Sequence, residues 1–400
     1  MTDPTALADA ARSILPEVVE VRRRLHAHPE IGLDLPATQV VVGEALAGLG
    51  LTPRFGRTVS SVTARIDGAR PGPTILLRAD MDGLPLHEDT GLPFASAVDG
   101  AMHACGHDTH VAMLLGAARL LAERREELAG SVLLMFQPGE EGFHGARSMI
   151  EEGLLDEPGA AAVTGAFAIH ISTRYPSGTI NVRPGALLAS SDTLRITVRG
   201  RGGHASAPHL AVDPIAVAAR VLIDLQTMVT RRVDVFDPAV ITIAQVIAGT
   251  TTNIIPETAF LGGTIRTVSA ATRAAIHERI REVAAGAALA TGAAVEVAIE
   301  PGYPVTVNDP GFTAFARKAA AELLGQDRVA ELAAPIMGAE DFSYVLERVP
   351  GTMAFLGASP AGIEPEAGPQ NHSNLVVFDE AAMADGVATH ALIALRHLAG

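Results

Sequence analysis

Side chains that bind divalent metal ions recur at the ends of short apolar runs in this chain. A thiolate, imidazoles and carboxylates together suit zinc or a comparable divalent ion, because ligand softness decides which metals a site accepts. A set that also contains a carboxylate not needed as a metal ligand is typical of a hydrolase with two metal ions. The side chains are Cys105, His107, Glu140, Glu141, His170 and His372.

The doublet Glu140 and Glu141 follows the turn sequence Gln-Pro-Gly at 137–139. Adjacent side chains on such a turn point in different directions, so one carboxylate can bind a metal ion while the other faces an attacking water. A pair of solvated charges is the ordinary alternative. The position directly after an apolar strand favours the chemical interpretation.

Other candidates also have structural explanations. Cys105 alone would be a small buried apolar residue, and His170 would be a hydrogen-bonded core histidine. Asp80 and Asp82 either bind metal or accept the N–H of metal-bound histidines, and the second role is favoured because such histidines usually donate to a carboxylate. Asp108 is predicted to cap the helix that follows it.

Strands that alternate with helices predict a mostly parallel α/β sheet with helices on both faces. Ligands of such sheets bind beyond the carboxyl ends of the strands, which is where Asp80, the Glu140 doublet and His170 fall. The predicted helices are 4–25, 37–49, 111–121 and 146–153, and the predicted strands are 74–79, 132–136 and 166–171.

A different pattern begins near residue 193. Its order, β-α-β-β-α-β, is that of a ferredoxin-like α+β unit. The α/β pattern resumes afterwards and His372 lies beyond it, so this unit is predicted to be a lid inserted into a catalytic domain. The predicted limits are 1–186 and 299–400 for the catalytic domain and 187–298 for the lid.

Composition excludes several classes of protein. A length of 400 residues with 48% hydrophobic residues predicts two folded domains. The net charge of −15 disfavours nucleic acid or an anionic membrane as a partner, since both select basic surfaces. No stretch is apolar enough to span a bilayer. A single cysteine excludes an intrachain disulfide, and the first residues lack a signal-peptide pattern, which together predict a cytoplasmic protein.

Seven short motifs follow one another along nearly the whole chain. They are LRADMDGLP (77–85), MHACGHDTH (102–110), FQPGEEG (136–142), GRGGH (200–204), TNIIP (252–256), MGAEDF (337–342) and NHSN (371–374). This set resembles the M20 metallopeptidase family, within it the amidohydrolase branch of hippurate hydrolases, N-acyl-amino acid deacylases and auxin–amino acid conjugate hydrolases.

The resemblance implies a two-metal catalytic domain with an inserted lid that commonly forms a dimer. The two divalent ions would be zinc, manganese, cobalt or nickel. In most of the wider superfamily an aspartate bridges the metals, whereas the Cys-Gly-His arrangement here makes the cysteine the candidate for the bridge. The implied ligands are Cys105, His107, Glu141, His170 and His372.

The resemblance also implies how the reaction proceeds. Glu140 would take a proton from the attacking water and pass it to the departing amine. His204, on the lid, would donate to the oxyanion, and Asn253 and Arg266 would hold the free carboxylate of the substrate. The implied substrate is an N-acyl amino acid or similar small amide, and the implied assembly is a homodimer or homotetramer formed through the lid. Without the resemblance, His204 reads as a turn histidine and Arg266 as a surface arginine.

Two alternatives remain open from the sequence. A dipeptidase or aminopeptidase of the same fold would require a free substrate amine, for which no acidic anchor is evident. A metal-binding scaffold without activity would have no need of Glu140 beside its metal ligands.

Overall fold

The computed structural model describes residues 3–156 and 161–399. The chain forms two compact units. The first takes in the chain up to Leu187, Val307–Ala334 and the chain from Asp341 onward. The second comprises Leu188–Thr306 and Pro335–Glu340. The limits of the catalytic and lid domains given above stay predictions.

The first part of the chain alternates helices and strands. Its first helix begins at Pro4 because the Asp3 side chain accepts a hydrogen bond from the Thr5 amide at 3.0 Å and proline suits the first turn. The elements are α1 Pro4–His26, α2 Pro36–Gly48, β1 Arg54–Phe55, β2 Val62–Asp67, β3 Arg70–Asp80, α3 His107–Ala122, β4 Ala129–Gln137, α4 Gly145–Glu151, β5 Val163–Ser172 and β6 Ile180–Val182.

The middle of the chain supplies the second unit. Strand β8 alternates buried and less buried residues, so one face of its sheet carries the apolar side chains. The elements are β7 Gly185–Leu188, β8 Asp192–Arg199, β9 Gly203–His204, α5 Pro214–Arg232, β10 Ala239–Ala248, β11 Ile254–Ile255, β12 Thr258–Thr267, α6 Ala270–Leu289 and β13 Ala294–Pro301.

The last part of the chain returns to the first unit. Its elements are β14 Thr306–Asn308, α7 Pro310–Leu324, β15 Val329–Glu331, α8 Ser343–Leu346, β16 Gly351–Gly357 and α9 Ala382–His397.

The first unit is built on an eight-stranded sheet with the order β1-β2-β4-β3-β5-β16-β6-β15. The neighbours β4, β3, β5 and β16 run parallel to one another, while β2 and β6 pair antiparallel to their inner neighbours. Its core includes apolar residues of the central strands and of α1, α3, α7 and α9. The predicted α/β sheet with helical cover is therefore confirmed.

The second unit has a four-stranded antiparallel sheet with the order β10-β12-β8-β13. Apolar residues of α5 and α6 pack with those of the sheet in a separate core. The predicted inserted ferredoxin-like unit is confirmed, since its strands and helices follow the predicted order. Strand β10 lies at an edge of this sheet and leaves Val246 and Ile247 62% and 63% exposed.

The predicted cap of helix α3 is wrong. The helix begins at His107, and the residue before its first turn is Gly106, whose backbone is left-handed with φ of 89°. Asp108 lies inside the first turn, and its carboxylate accepts from the Arg22 and His26 side chains at 2.7 and 2.8 Å. The Asp108 carboxylate therefore binds Arg22 and His26 instead of capping the helix as the sequence pattern had predicted.

Candidate metal centre

The carboxyl ends of three neighbouring parallel strands bring the candidate ligands together. Strand β3 ends at Asp80, the Glu140 doublet follows β4, and His170 lies two residues before the end of β5. Because β4, β3 and β5 are adjacent and parallel, these ends meet at one edge of the sheet.

Cys105 lies at the centre of the cluster. Its Sγ atom is 3.4 Å from Nε2 of His170 and 3.3 Å from Nε2 of His372. The Nε2 atom of His372 lies 3.1 Å from Oε1 of Glu141, which lies 4.0 Å from Nε2 of His107. The structure thus brings together all five residues that were predicted to bind metal.

Two of the imidazoles are held in the form that binds a metal ion. Nδ1 of His107 lies 2.8 Å from the carbonyl oxygen of Asp82, and Nδ1 of His170 lies 2.7 Å from the carbonyl oxygen of Ile171. Each Nδ1 must carry a proton to donate these bonds, so Nε2 is the nitrogen of each ring that is left to bind a metal ion. Hydrogen bonds of this kind orient histidine ligands in metal sites.

The charges around the cluster favour a cation. Hydrogen bonds to Cys105 and Glu141 raise the pKa of His372 to about 10. Burial opposes protonation of His107, but Asp80 and Cys105 outweigh it and raise the pKa of that imidazole. The groups that raise these two pKa values, Asp80, Cys105 and Glu141, also favour the binding of a metal cation. The buried Nε2 atom of His107, which has no hydrogen-bond partner among the described residues, fits this interpretation.

Glu140 lies beside the cluster and is almost fully buried. Ligand atoms of His107, Glu140 and Glu141 lie within 4.8 Å of one another. The Asp82 carboxylate accepts the backbone N–H groups of Glu140 and Glu141 at 2.9 and 3.0 Å. Asp82 therefore fixes the turn that carries the two carboxylates.

Asp80 has a different set of contacts. Its Oδ2 atom lies 2.9 Å from Arg78 and 3.3 Å from Nε2 of His107, while Oδ1 lies 2.5 Å from Nδ1 of His110. Burial opposes ionisation of Asp80, but Arg78 and the two histidines hold the pKa of its carboxyl well below the usual range. Asp80 is thus an anion that faces both His107, a predicted metal ligand, and His110.

His110 is a participant that sequence reasoning left without a role. Its Nδ1 faces Asp80, and its Nε2 accepts the backbone N–H of Ile171 at 2.8 Å. Both ring nitrogens are occupied, so His110 supports the cluster without offering a free lone pair. Its place three residues after His107, on the same helix face, was the sequence signal that could have indicated this.

The second unit holds the remaining candidates. His204 and Asn253 line an open cavity of about 570 Å³ together with Gly202, Pro256 and Glu257. Nδ1 of His204 accepts the backbone N–H of Ser206 at 3.1 Å, so Nε2 carries the proton and is a donor.

Arg266 is not among the residues that line the His204 cavity. It lies on β12 opposite Val240 and is half-buried, and burial lowers the pKa of its guanidinium. Its predicted contact with a substrate carboxylate stays a prediction.

The comparison with known families agrees with the fold and the cluster. The model of Peptidase family M20/M25/M40 matches residues 76–396. The chain belongs to this family, and it is a hydrolase of amide bonds. The alternative of a scaffold without activity is therefore set aside.

Individual relatives are similar over almost their whole length. The chain is 39% identical to thermostable carboxypeptidase 1 of Saccharolobus solfataricus over 98% of each chain. It is 40% identical to N-acetylcysteine deacetylase of Bacillus subtilis, over 86% of this chain and 88% of that protein. A solved Bacillus subtilis structure, described as a dinuclear metal-binding peptidase of the M20 family, superposes with a TM-score of 0.84 at 35% identity, covering 97% of this chain and 99% of that one.

Among the described residues, no helix combines the length and the apolar composition needed to cross a bilayer.

Proposed function

We propose that the protein hydrolyses the amide bond of N-acyl amino acids or similar small amides at a centre of two divalent metal ions. The observation that carries the proposal is the cluster at the sheet edge, where a thiol, imidazoles and carboxylates converge and two imidazoles are held through Nδ1 so that Nε2 is left to bind a metal ion. The proposed ligands are Cys105, His107, Glu141, His170 and His372, with Cys105 as the bridge.

Two cations held there would supply the Lewis acidity that acidifies a water and polarises the amide carbonyl. The proposed ions are zinc, manganese, cobalt or nickel, because the set mixes a thiolate and imidazoles with carboxylates, and these ligand types suit different members of that series. The description of the Bacillus subtilis relative as dinuclear supports the number of ions.

Glu140 is proposed as the general base. It is buried next to Glu141, and Asp82 holds its backbone, so its carboxylate has little freedom to move. Glu140 takes a proton from the attacking water and delivers it to the departing nitrogen. Asp80 and Asp82 are proposed to orient His107 and the Glu140 turn.

The Nε2–H group of His204 is proposed to donate a hydrogen bond to the developing oxyanion. Asn253, which lines the same cavity, is proposed to bind the free carboxylate of the substrate with Arg266.

The N-acyl amino acid is favoured over a substrate with a free amine because a relative is named as a deacetylase. The relative named as a carboxypeptidase supports the second candidate, a peptidase of the same fold. Both kinds of substrate end in an amino acid with a free carboxylate. They differ in the acyl group attached to the nitrogen of that amino acid, which carries a free amine only in the peptide.

A matched substrate panel tests the proposal. Hippurate and N-acetyl amino acids are compared with dipeptides that carry the same C-terminal residue and a free amine. The proposal predicts a higher kcat/KM for the acylated substrates. A higher kcat/KM for the free-amine dipeptides would favour the peptidase instead.

We also propose a homodimer or homotetramer, formed through the second unit, that works in the cytoplasm. Among the described residues, strand β10 pairs with another strand on one side only, and it exposes Val246 and Ile247. Both features support the assembly, because such an edge readily pairs with a second copy. The free thiol of Cys105 suits a reducing compartment.

A further inference from the structure

The side chain of Asn371 joins the segments that carry three of the proposed ligands. Its Nδ2 donates to the carbonyl oxygens of Cys105 and Ile171, each at 3.0 Å. Its Oδ1 accepts the backbone N–H of Thr173 at 3.4 Å. Asn371 immediately precedes His372, so one amide side chain connects the Cys105 loop, the end of β5 and the last ligand.

The contact with Ile171 also reaches His170. The carbonyl oxygen of Ile171 accepts from Nδ1 of His170 at 2.7 Å and from Asn371 at 3.0 Å. Asn371 therefore fixes the acceptor that orients the His170 ring. A carbonyl oxygen has two lone pairs, so it accommodates both donors.

His372 needs such restraint more than the other ligands do. Its backbone is left-handed, with φ of 70°, a conformation that residues with a Cβ atom rarely adopt. Its side chain is 55% exposed, so packing contributes little to its position. The backbone N–H of His372 donates to the carbonyl oxygen of Ala104 at 2.9 Å, next to the bond that Asn371 makes to Cys105.

We propose that Asn371 is a positioning residue of the metal centre: its amide sets the spacing of Cys105, His170 and His372 before a metal ion binds. This inference rests on the proposed two-metal function. An asparagine is suited to the position because a single planar amide offers two donors for two carbonyl oxygens and an acceptor for one N–H. An aspartate of the same size would place an acceptor against those carbonyl oxygens.

Asn308 provides a matched control within the same unit. Its Nδ2 donates to the carbonyl oxygens of Arg183 and Met353, both at 2.9 Å, and its Oδ1 accepts the Met353 N–H at 2.8 Å. The bonds have the same pattern as those of Asn371, but none goes to a ligand segment. A purely structural amide should therefore behave as Asn308 does.

The experiment uses the full-length protein and cobalt(II) as the probe. Wild type, Asn371→Ala, Asn371→Asp and Asn308→Ala are stripped of metal, and their thermal unfolding is recorded. Cobalt affinity is then measured by competition with a chelator, and the thiolate-to-cobalt charge-transfer absorption reports the bond to Cys105.

Both Asn371 variants are expected to bind cobalt about 10- to 100-fold more weakly, as is usual when a residue that orients metal ligands is lost. Their charge-transfer band should shift or weaken. Asn308→Ala should unfold at a lower temperature with unchanged affinity and band.

The inference is overturned if either folded Asn371 variant binds cobalt as tightly as wild type, or if Asn308→Ala loses as much affinity as the Asn371 variants. Failure of wild type to bind cobalt is a separate result. It would overturn the proposed two-metal function itself, and the inference with it.

Discussion

Glu140 and Glu141 are neighbours in sequence, yet the geometry gives them different surroundings. The Glu141 carboxylate lies 3.1 Å from Nε2 of His372, and ligand atoms of Glu141, His372 and Cys105 lie within 4.8 Å of one another. Glu140 lies beside the cluster and is almost fully buried. A side chain that binds metal and one that moves a proton should differ in their response to loss of charge.

Replacement of Glu140 by Gln is expected to lower kcat about 10²- to 10⁴-fold, the usual contribution of a general base, while metal content is unchanged. Steady-state kinetics and elemental analysis of the same sample measure both quantities. Glu141→Gln is the matched comparison and should lose metal affinity together with activity. Full activity of Glu140→Gln would remove this residue from the role of base.

Gly106, between Cys105 and His107, is required for two reasons. Its φ of 89° is left-handed, and an added Cβ would lie 2.4 Å from Cγ2 of Ile171. Gly106→Ala is therefore expected to lower the free energy of unfolding by about 1–3 kcal/mol, the usual cost of overpacking. Denaturant titration measures this. Gly48→Ala, with open space around its Cβ, should be neutral or slightly stabilising, and an equal loss in both variants would contradict the account.

A buried charge network joins helix α1 to the start of helix α3. Nδ1 of His26 lies 2.8 Å from Asp108, and Nε2 lies 3.2 Å from Glu88, while Arg22 lies 2.7 Å from Asp108. Burial disfavours the charged imidazole, but Asp108 and Glu88 outweigh it and raise the pKa of His26 to about 9. Buried ions of this kind are costly to leave unpaired.

This network predicts a pH dependence of stability. Because the pKa of His26 is raised on folding from 6.5 to about 9, its contribution is complete below pH 6.5 and is lost as the pH rises through about 9. A shift of this size corresponds to about 3 kcal/mol. His26→Gln should remove this slope from a plot of unfolding free energy against pH. His87→Gln, at an exposed imidazole beside Asp99, is the control and should keep the slope. An unchanged slope in the His26 variant would contradict the assignment.

The sequence predicted the elements better than the contacts between them. Periodic apolar residues and strand-end ligands indicated the α/β sheet, and alternation indicated the ferredoxin-like unit. The roles of Asp108, His110 and Asn371 depend on partners that lie far away in sequence, such as Arg22 for Asp108 and Cys105 for Asn371. Local patterns do not contain such pairings, which is why a plausible helix cap was assigned to Asp108 in error.

The edge of β10 is the feature of the molecule that is expected to mediate self-association. Ile247→Lys is predicted to shift the protein from an oligomer toward the monomer, because a charge on an edge strand opposes pairing with another strand. Light scattering coupled to size-exclusion chromatography measures the molar mass. Leu289→Lys, at an 85% exposed residue of the same unit, should leave the mass unchanged. A monomeric wild type, or equal effects of both variants, would contradict the proposed interface.

Amide hydrolysis is proposed to require two metal ions held by the Cys105 cluster. The most direct measurement titrates metal-free protein with zinc, manganese, cobalt or nickel. At each step it records both the rate of hydrolysis of an N-acetyl amino acid and the number of metal ions bound per chain. Activity is expected to be absent without metal and to reach its plateau as the second ion binds. Glu140→Gln is expected to bind both ions without turnover. Undiminished activity after complete metal removal would contradict it.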